Sequence, residues 1–413
     1  MGGGLMQLVA QGAQDVYLTG DPQITYFKVV YRRHTNFSME SIQQQFSQDI
    51  NVDAGCKSSC VISRNGDLIG AMYLQYRLTH GRVSNRGFIT YITDVEIEIG
   101  GQKIDKHYGR WLDIWDDLST DANKDDGLST MLGNMQTTGV GTGEGGLSDI
   151  SINNTNSPAF ALVPLAFWFN KNVGLALPLI ALQYHEVKLN FTFPSGTNDW
   201  DQVSLWVDYI FLDSDERKRF AQMSHEYLID QVQFGGPESF ENEIIGSSSR
   251  FVLHFNHPVK ELIWVTENIA AIDATTPLIK VDGTNATNAY NQTANTRQVD
   301  VNLVKLQING HDRFYPRHSE YFRLQQPYQF HSTVPTAQDI FVYSFALRPE
   351  EHQPSGTCNF SRIDSCHLTL TLGGRMTTGQ LSNTSFSDTL YIYAINYNVL
   401  RIASGMAGLA YSN

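Results

Sequence analysis

The feature that most narrows what this chain can fold into is a repeat within it. Laid on the first half, the second half returns five short patterns in the same order, and chance matches would not keep that order. Ile42-Gln-Gln-Gln-Phe46 is answered by Asp230-Gln-Val-Gln-Phe234, and Arg64-Asn-Gly-Asp-Leu-Ile69 by Val259-Lys-Glu-Leu-Ile263. The clearest pair is Val95-Glu-Ile-Glu-Ile-Gly-Gly101 and Val304-Lys-Leu-Gln-Ile-Asn-Gly310, each followed by a charged segment rich in Tyr and His. Pro178–Phe193 loosely resembles Pro354–Leu372, and Trp206–Leu212 resembles Leu390–Asn396. The offset runs from 176 residues (Pro178 to Pro354) to 209 (Val95 to Val304), as a duplicated domain with unequal loops produces.

Period-2 alternation says what is duplicated. Val95, Ile97 and Ile99 alternate with Glu96 and Glu98, and Val203, Leu205, Val207, Tyr209 and Phe211 form a second such run. Runs over Val187–Phe193, Val304–Ile308 and Leu368–Leu372 read the same way, as half-buried strands. Long 3.6-period segments are absent, so the class is all-β, with short helices expected only at Gln7–Val16, Arg110–Leu118 and Glu216–Gln222. Each half has about 200 residues, which suits a sandwich of roughly eight strands with elaborated loops. The expectation is two tandem jelly rolls, at 26–213 and 225–413, after an N-terminal segment 1–25. A charged linker, 214–224, would separate them. Ser119–Pro158 and Ala270–Val299 read as loops by composition.

Composition removes several functions. Lys plus Arg number 29 against 42 Asp plus Glu, a net charge of -13, so a phosphate backbone is repelled on average and direct nucleic-acid binding is disfavoured. The longest apolar stretch, Ala159–Phe169, holds Pro164 and falls far short of a transmembrane span. No secretory signal is visible, and Met6 stands where a myristoylation site needs Ser or Thr. Cys56, Cys60, Cys358 and Cys366 lack zinc-finger spacing and are too few for a disulfide framework, so reduced thiols are expected.

Candidate reaction centres fail on context. Gly141-Thr-Gly-Glu-Gly-Gly146 has dinucleotide-loop spacing, yet neither a strand before it nor a helix after it is read, and Glu144 would repel phosphate. No Gly-x-Ser-x-Gly occurs. His107, His185 and His225 each lie beside an acid (Asp105, Glu186, Glu226), as a base or metal ligand would, but hydrogen bonding at a surface or interface is the expectation. Asp116-Asp117 and Asp125-Asp126 read as solvated charge. No catalytic, cofactor or metal site is therefore assigned, and no cofactor is expected. Seven Asn-x-Ser/Thr sequons occur, at Asn36, Asn153, Asn190, Asn285, Asn291, Asn359 and Asn383; Asn285, Asn291 and Asn383 stand out as candidate glycosylation sites because they fall in expected outer loops.

The run Gln7–Phe37, QLVAQGAQDVYLTGDPQITYFKVVYRRHTNF, resembles the start of major capsid proteins of nucleocytoplasmic large DNA viruses, above all those of the algal phycodnavirus (chlorovirus-like) group. Further blocks follow in the family's order: SRNGDLI (Ser63–Ile69), EIGGQKIDKHY (Glu98–Tyr108), LALPLIALQYHEVKL (Leu175–Leu189) and WVDYIFLD (Trp206–Asp213). The second half adds HEYLI, FNHPVK, PSGTCNFSRID, NYNVLRI and SGMAGLAY, ending at Tyr411. The likeness spans nearly the whole chain and thins in the two loops.

This resemblance implies a double jelly roll that trimerises into a pseudo-hexagonal capsomer of an icosahedral shell, in the virion and, during assembly, in host cytoplasm. It implies as partners two further copies, neighbouring capsomers, minor capsid and penton proteins, and glycans on outer loops. Segment 1–25 would lie at the capsomer base. Arg32, Arg33, Arg217, Lys218 and Arg219 are the charged candidates for contacts between capsomers. A minor capsomer protein of the same fold would differ in copy number in virions, and a jelly-roll carbohydrate-binding protein would bind glycan as an isolated domain. An enzyme of sandwich type has no nucleophile, metal set or acid pair to rest on.

Overall fold

A computed structural model describes residues 3–48, 50, 55–78, 87–133, 159–195, 200–243, 246–268, 301–335, 340–373, 375–377, 380–382 and 386–411. The candidate glycosylation residues Asn285, Asn291 and Asn383, the Gly141–Gly146 motif and the expected loop Ala270–Val299 lie outside them. Residues 1–36 form one compact unit, and 37–413 another. The first unit carries helices α1 (Gly3–Val9) and α2 (Val16–Thr19). The single helix expected over Gln7–Val16 is thus replaced by two short ones, parted by a turn in which the Asp15 carboxylate accepts from the Gly12 N–H at 2.6 Å.

The second unit begins with nine strands: β1 (Phe37–Gln44), β2 (Lys57–Val61), β3 (Leu68–Leu78), β4 (Asp94–Ile99), β5 (Gln102–Tyr108), β6 (Ala159–Pro164), β7 (Leu177–Pro178), β8 (Val187–Thr192) and β9 (Trp200–Leu212). They form one sheet in the order β1-β9-β3-β6, with β7 beside β3, and a second in the order β2-β8-β4-β5. Thirteen more follow: β10 (His225–Glu243), β11 (Ser248–Val252), β12 (Pro258–Asn268), β13 (Val301–Ile308), β14 (His311–Asp312), β15 (Arg317–His318), β16 (Ile340–Ser344), β17 (Cys358–Asn359), β18 (Cys366–Leu372), β19 (Arg375–Thr377), β20 (Gln380–Ser382), β21 (Phe386–Ala403) and β22 (Met406–Leu409). Their main sheets run β10-β21-β12-β16 and β11-β18-β13-β14. The two orders correspond strand for strand, down to β7 on β3 and β17 on β12. Each half is a jelly roll built on eight main strands, four to a sheet.

Helices decorate this frame: α3 (Gly109–Ser119), α4 (Ala122–Met131), α5 (Trp168–Lys171), α6 (Ser214–Gln222), and a π-helical turn Tyr321–Gln325 running into α7 (Gln326–Phe330). The helices expected near Arg110 and Glu216 are α3 and α6. Helix α4 lies where a loop was expected. Its composition gave no apolar stripe to read, and none of its residues is buried; Asp121 caps it by accepting from the Asn123 N–H at 2.9 Å.

The clearest repeat is clear because two identical turns sit inside it. Gly100 and Gly101 have φ of 59° and 85°, and Asn309 and Gly310 have 48° and 78°. Both are two-residue hairpins whose central residues are left-handed, which only Gly and Asn adopt readily. The other pairs fall on equivalent strands, but those on β1, β3 and β9 are out of register. Tyr209 points into its own sandwich with Leu205 and Val207, whereas Tyr393 faces away from its own and packs in the first core with Ile395.

Each sandwich fills its interior with alternate residues. Leu74, Tyr76, Val95, Ile97, Leu189, Phe191, Leu205 and Val207 meet in the first. Leu262, Trp264, Val304, Leu306, Leu368, Leu370, Ile392 and Ala394 meet in the second. The other face of the β10-β21-β12-β16 sheet, with Ile263, Val265, Ile340, Val342, Tyr393 and Ile395, joins the first core instead. That sheet is buried on both sides.

Candidate assembly surfaces

The seam between the jelly rolls is the most elaborate surface in the molecule. Helix α3 lies on the outer face of the second sandwich's sheet. The Trp111 ring sits 5.2 Å from Tyr393, Tyr108 meets Phe234 edge-on at 5.0 Å, and the Arg110 guanidinium lies 3.9 Å above Tyr391. Such aromatic pairs add to the burial energy by about 0.5–1.5 kcal/mol each.

Around this contact many polar groups are paired, although among the described residues His107 Nδ1, Asp230 Oδ1 and Glu261 Oε1 have no hydrogen-bond partner. Lys260, 1 % exposed, donates to Asp230 Oδ2 at 3.0 Å and to the Pro349 carbonyl at 2.9 Å. Asp105 accepts from the Val232 N–H at 3.1 Å and pairs with His107 Nε2 at 2.9 Å, while the His107 ring stacks on Phe167. Gln231 donates to the Ile104 carbonyl. His331 is held between Glu261 at 2.9 Å and Glu350 at 3.1 Å, with no side-chain exposure at all. Burial alone would lower its pKa, but the two carboxylates outweigh burial and raise it to about 9. Burial pushes Glu350 upward, and the bonds from His331 and Ser332 bring it below its ordinary value. Two residues on, Thr333 Oγ1 donates to the Leu118 and Thr120 carbonyls at the end of α3. At the far end β22 clasps the first jelly roll. Ala407 N donates to His185 Nδ1 at 3.1 Å, and Tyr184 N donates to the Gly405 carbonyl at 3.0 Å.

Sequence reasoning passed over Trp111, Trp115, Lys260, Glu261 and His331. A signal was present: Val259–Val265 and Ile340–Tyr343 are nearly unbroken apolar runs, the mark of strands covered on both faces, and the first contains an embedded Lys-Glu pair.

The charged candidates are placed differently. Arg32 and Arg33 are exposed in the first unit. Arg217, on α6, reaches Asp67 Oδ2 with Nε at 3.1 Å and Nη2 at 2.9 Å, tying the helix to the turn before β3. Lys218 and Arg219 are exposed on the same helix. Of the acid-flanked histidines, His185 lies at the seam, His107 is buried, and His225 bonds the Phe220 carbonyl. Among the described residues no three His, Cys, Asp or Glu side chains converge as a metal site would require. The four cysteines are free, and burial raises the thiols of Cys60 and Cys366 to about 11 and about 12.

Two jelly rolls in one compact unit, with buried polar and aromatic groups of the seam joining the two halves, define the double jelly-roll class of shell-building proteins. Residues 25–213 match the family model for the N-terminus of major capsid proteins, and 216–408 the model for large eukaryotic DNA virus major capsid proteins. The chain is 48 % identical to the major capsid protein of Pyramimonas orientalis virus and 44 % identical to that of Paramecium bursaria Chlorella virus 1, with all of each chain covered. Among solved structures it is similar to a chain of the PBCV-1 virus capsid at 39 % identity and a TM-score of 0.75, over 94 % of this chain and 100 % of that one. The Faustovirus major capsid protein, 13 % identical with a TM-score of 0.66 over 95 % of this chain and 94 % of that one, shares the fold. The chain belongs to the major capsid proteins of large eukaryotic DNA viruses. It is a structural component of the icosahedral virion shell and not an enzyme.

Proposed function

We propose that three copies close into a capsomer of pseudo-hexagonal outline. The observation that carries this reading is the strand-for-strand correspondence of the two jelly rolls within one compact unit, since three such chains present six similar sandwiches. An obligate interface of this kind buries roughly 2,000 Å² or more. On the same reading the chain divides into a base segment 1–25, jelly rolls at 26–213 and 225–413, and a linker 214–224 that contains α6. Capsomers meet one another through charged contacts that include Arg32, Arg33, Lys218 and Arg219, and they also meet minor capsid and penton proteins. Arg217 serves the fold first, through Asp67. Outer loops carry glycans, with Asn285, Asn291 and Asn383 as acceptors, and assembly takes place in host cytoplasm. Light scattering coupled to size exclusion tests the capsomer: a mass of three times 46.4 kDa that survives dilution supports it, and a monomer at every concentration refutes it.

A further inference from the structure

One buried cation of the second jelly roll sits in a setting that salt bridging alone does not account for. Lys260 falls at a bulge in β12: Val259 pairs with Asn396 and Glu261 with Ile395, which leaves Lys260 without a partner on β21. Its carbonyl accepts instead from the Phe345 and Ala346 N–H groups, at 2.8 and 3.2 Å. The side chain crosses β21, with Nζ 5.0 Å from the Tyr397 ring, and ends against Asp230 of β10, the residue paired with Tyr397.

There a primary amine and a carboxyl group are held 3.0 Å apart, Nζ to Oδ2. Lys260 is 1 % exposed, so little water reaches it. A buried ion pair repays its desolvation only when the remaining lone pairs are satisfied. Glu350 meets that condition, taking His331 and Ser332 on its two oxygens, but Asp230 Oδ1 is shielded from water with no hydrogen-bond partner. The Asp230 side chain as a whole stays 24 % exposed, which leaves a small product a way out.

We infer that Lys260 and Asp230 condense into an isopeptide bond. One proton passes from the ammonium to the carboxylate, and the lone pair it leaves on Nζ attacks Cγ while the Pro349 carbonyl, 2.9 Å away, steadies the amine. The tetrahedral centre then breaks a Cγ–O bond. The departing oxygen keeps the carboxyl proton, takes a second from nitrogen and leaves as water, and one N–H remains in the amide. Charges and atoms balance without an oxidant or any other reactant. Two groups held in such contact react as if each were present at about 10⁵–10⁸ M. The bond ties β10 to β12 across β21 and closes a ring of residues 230–260 in the doubly covered sheet. It does there what a disulfide does elsewhere, in a chain whose four cysteines are all free.

The test is the mass of the full chain after denaturation, followed during incubation of the folded protein at neutral pH. The parent is expected to lose one water per chain. Trypsin should then yield peptides 220–250 and 251–280 joined through Lys260, which it no longer cleaves. Lys260→Arg, which keeps the cation and lacks the amine, and Asp230→Ala should both hold their full mass. A parent that keeps its full mass overturns the inference, as does a lost water found in an unbranched peptide or lost equally by Lys260→Arg. The parent's own mass and peptides decide the matter even where a variant fails to fold.

Discussion

The β1-β9-β3-β6 and β10-β21-β12-β16 sheets have one topology and opposite surroundings. In the first, β3 alternates buried and half-buried residues from Met72 onward, and the outer side of β6 is open. In the second, β12 is buried without interruption from Val259 to Thr266. A duplicated fold therefore does not imply duplicated energetics. Apolar area removed from water stabilises by about 25 cal/mol per Å² wherever it occurs, and here one copy of the sheet is covered twice within its own chain.

The largest effect that would break this comparison is at the polar rim of the covered sheet. Asp230→Ala strands the ammonium of Lys260, 1 % exposed, and is expected to cost about 3–5 kcal/mol in urea unfolding. A cost below about 1 kcal/mol would mean that water reaches the seam.

Next come the paired positions Tyr393 and Trp206. Tyr393→Ala empties a site packed against Trp111 and Phe234 and should cost roughly 3–5 kcal/mol at any protein concentration. Trp206→Ala, on the half-buried outer side of the other sheet, should cost about 1 kcal/mol. Equal costs would erase the distinction between the sheets.

A third prediction concerns pH. His331 has its pKa raised from 6.5 to about 9, so its stabilisation is complete below about 6.5 and is lost as pH climbs through 9. At full strength it amounts to about 3 kcal/mol. Thermal melts should fall over this alkaline window and flatten in His331→Gln, whereas an identical slope in the variant would place the titration elsewhere. The smallest effect is expected for Arg217→Ala, whose half-exposed ion pair with Asp67 is worth less than about 1 kcal/mol.

The same contrast explains what the sequence made legible. Strands β4, β8, β13 and β18 have one core-facing side, so their alternation gave both identity and register. Strands of the doubly covered sheet carry apolar residues on both sides, and a pattern with no polar face cannot say which residue points where. Tyr209 and Tyr393 were matched by type and turned out to face opposite ways. The seam stayed hidden for a related reason. Trp111 sits one helix turn from Trp115 as any core pair would, and only the fold brings Tyr393 against it. Helix α4 has no buried residue and thus no periodicity to betray it.

The clasp of β22 on Tyr184 and His185 has a consequence for synthesis. The first jelly roll leaves the ribosome long before the residues that latch it, Gly405 and Ala407. At roughly 5–20 residues per second, the two hundred or so intervening residues take about 10–45 s to appear. During that interval the α3 face waits without the sheet that covers it in the finished chain. A nascent subunit cannot yet offer the complete seam, so the β22 segment acts as the timer for readiness, and removing it should leave chains whose α3 is covered but whose hold on Tyr184 and His185 is lost.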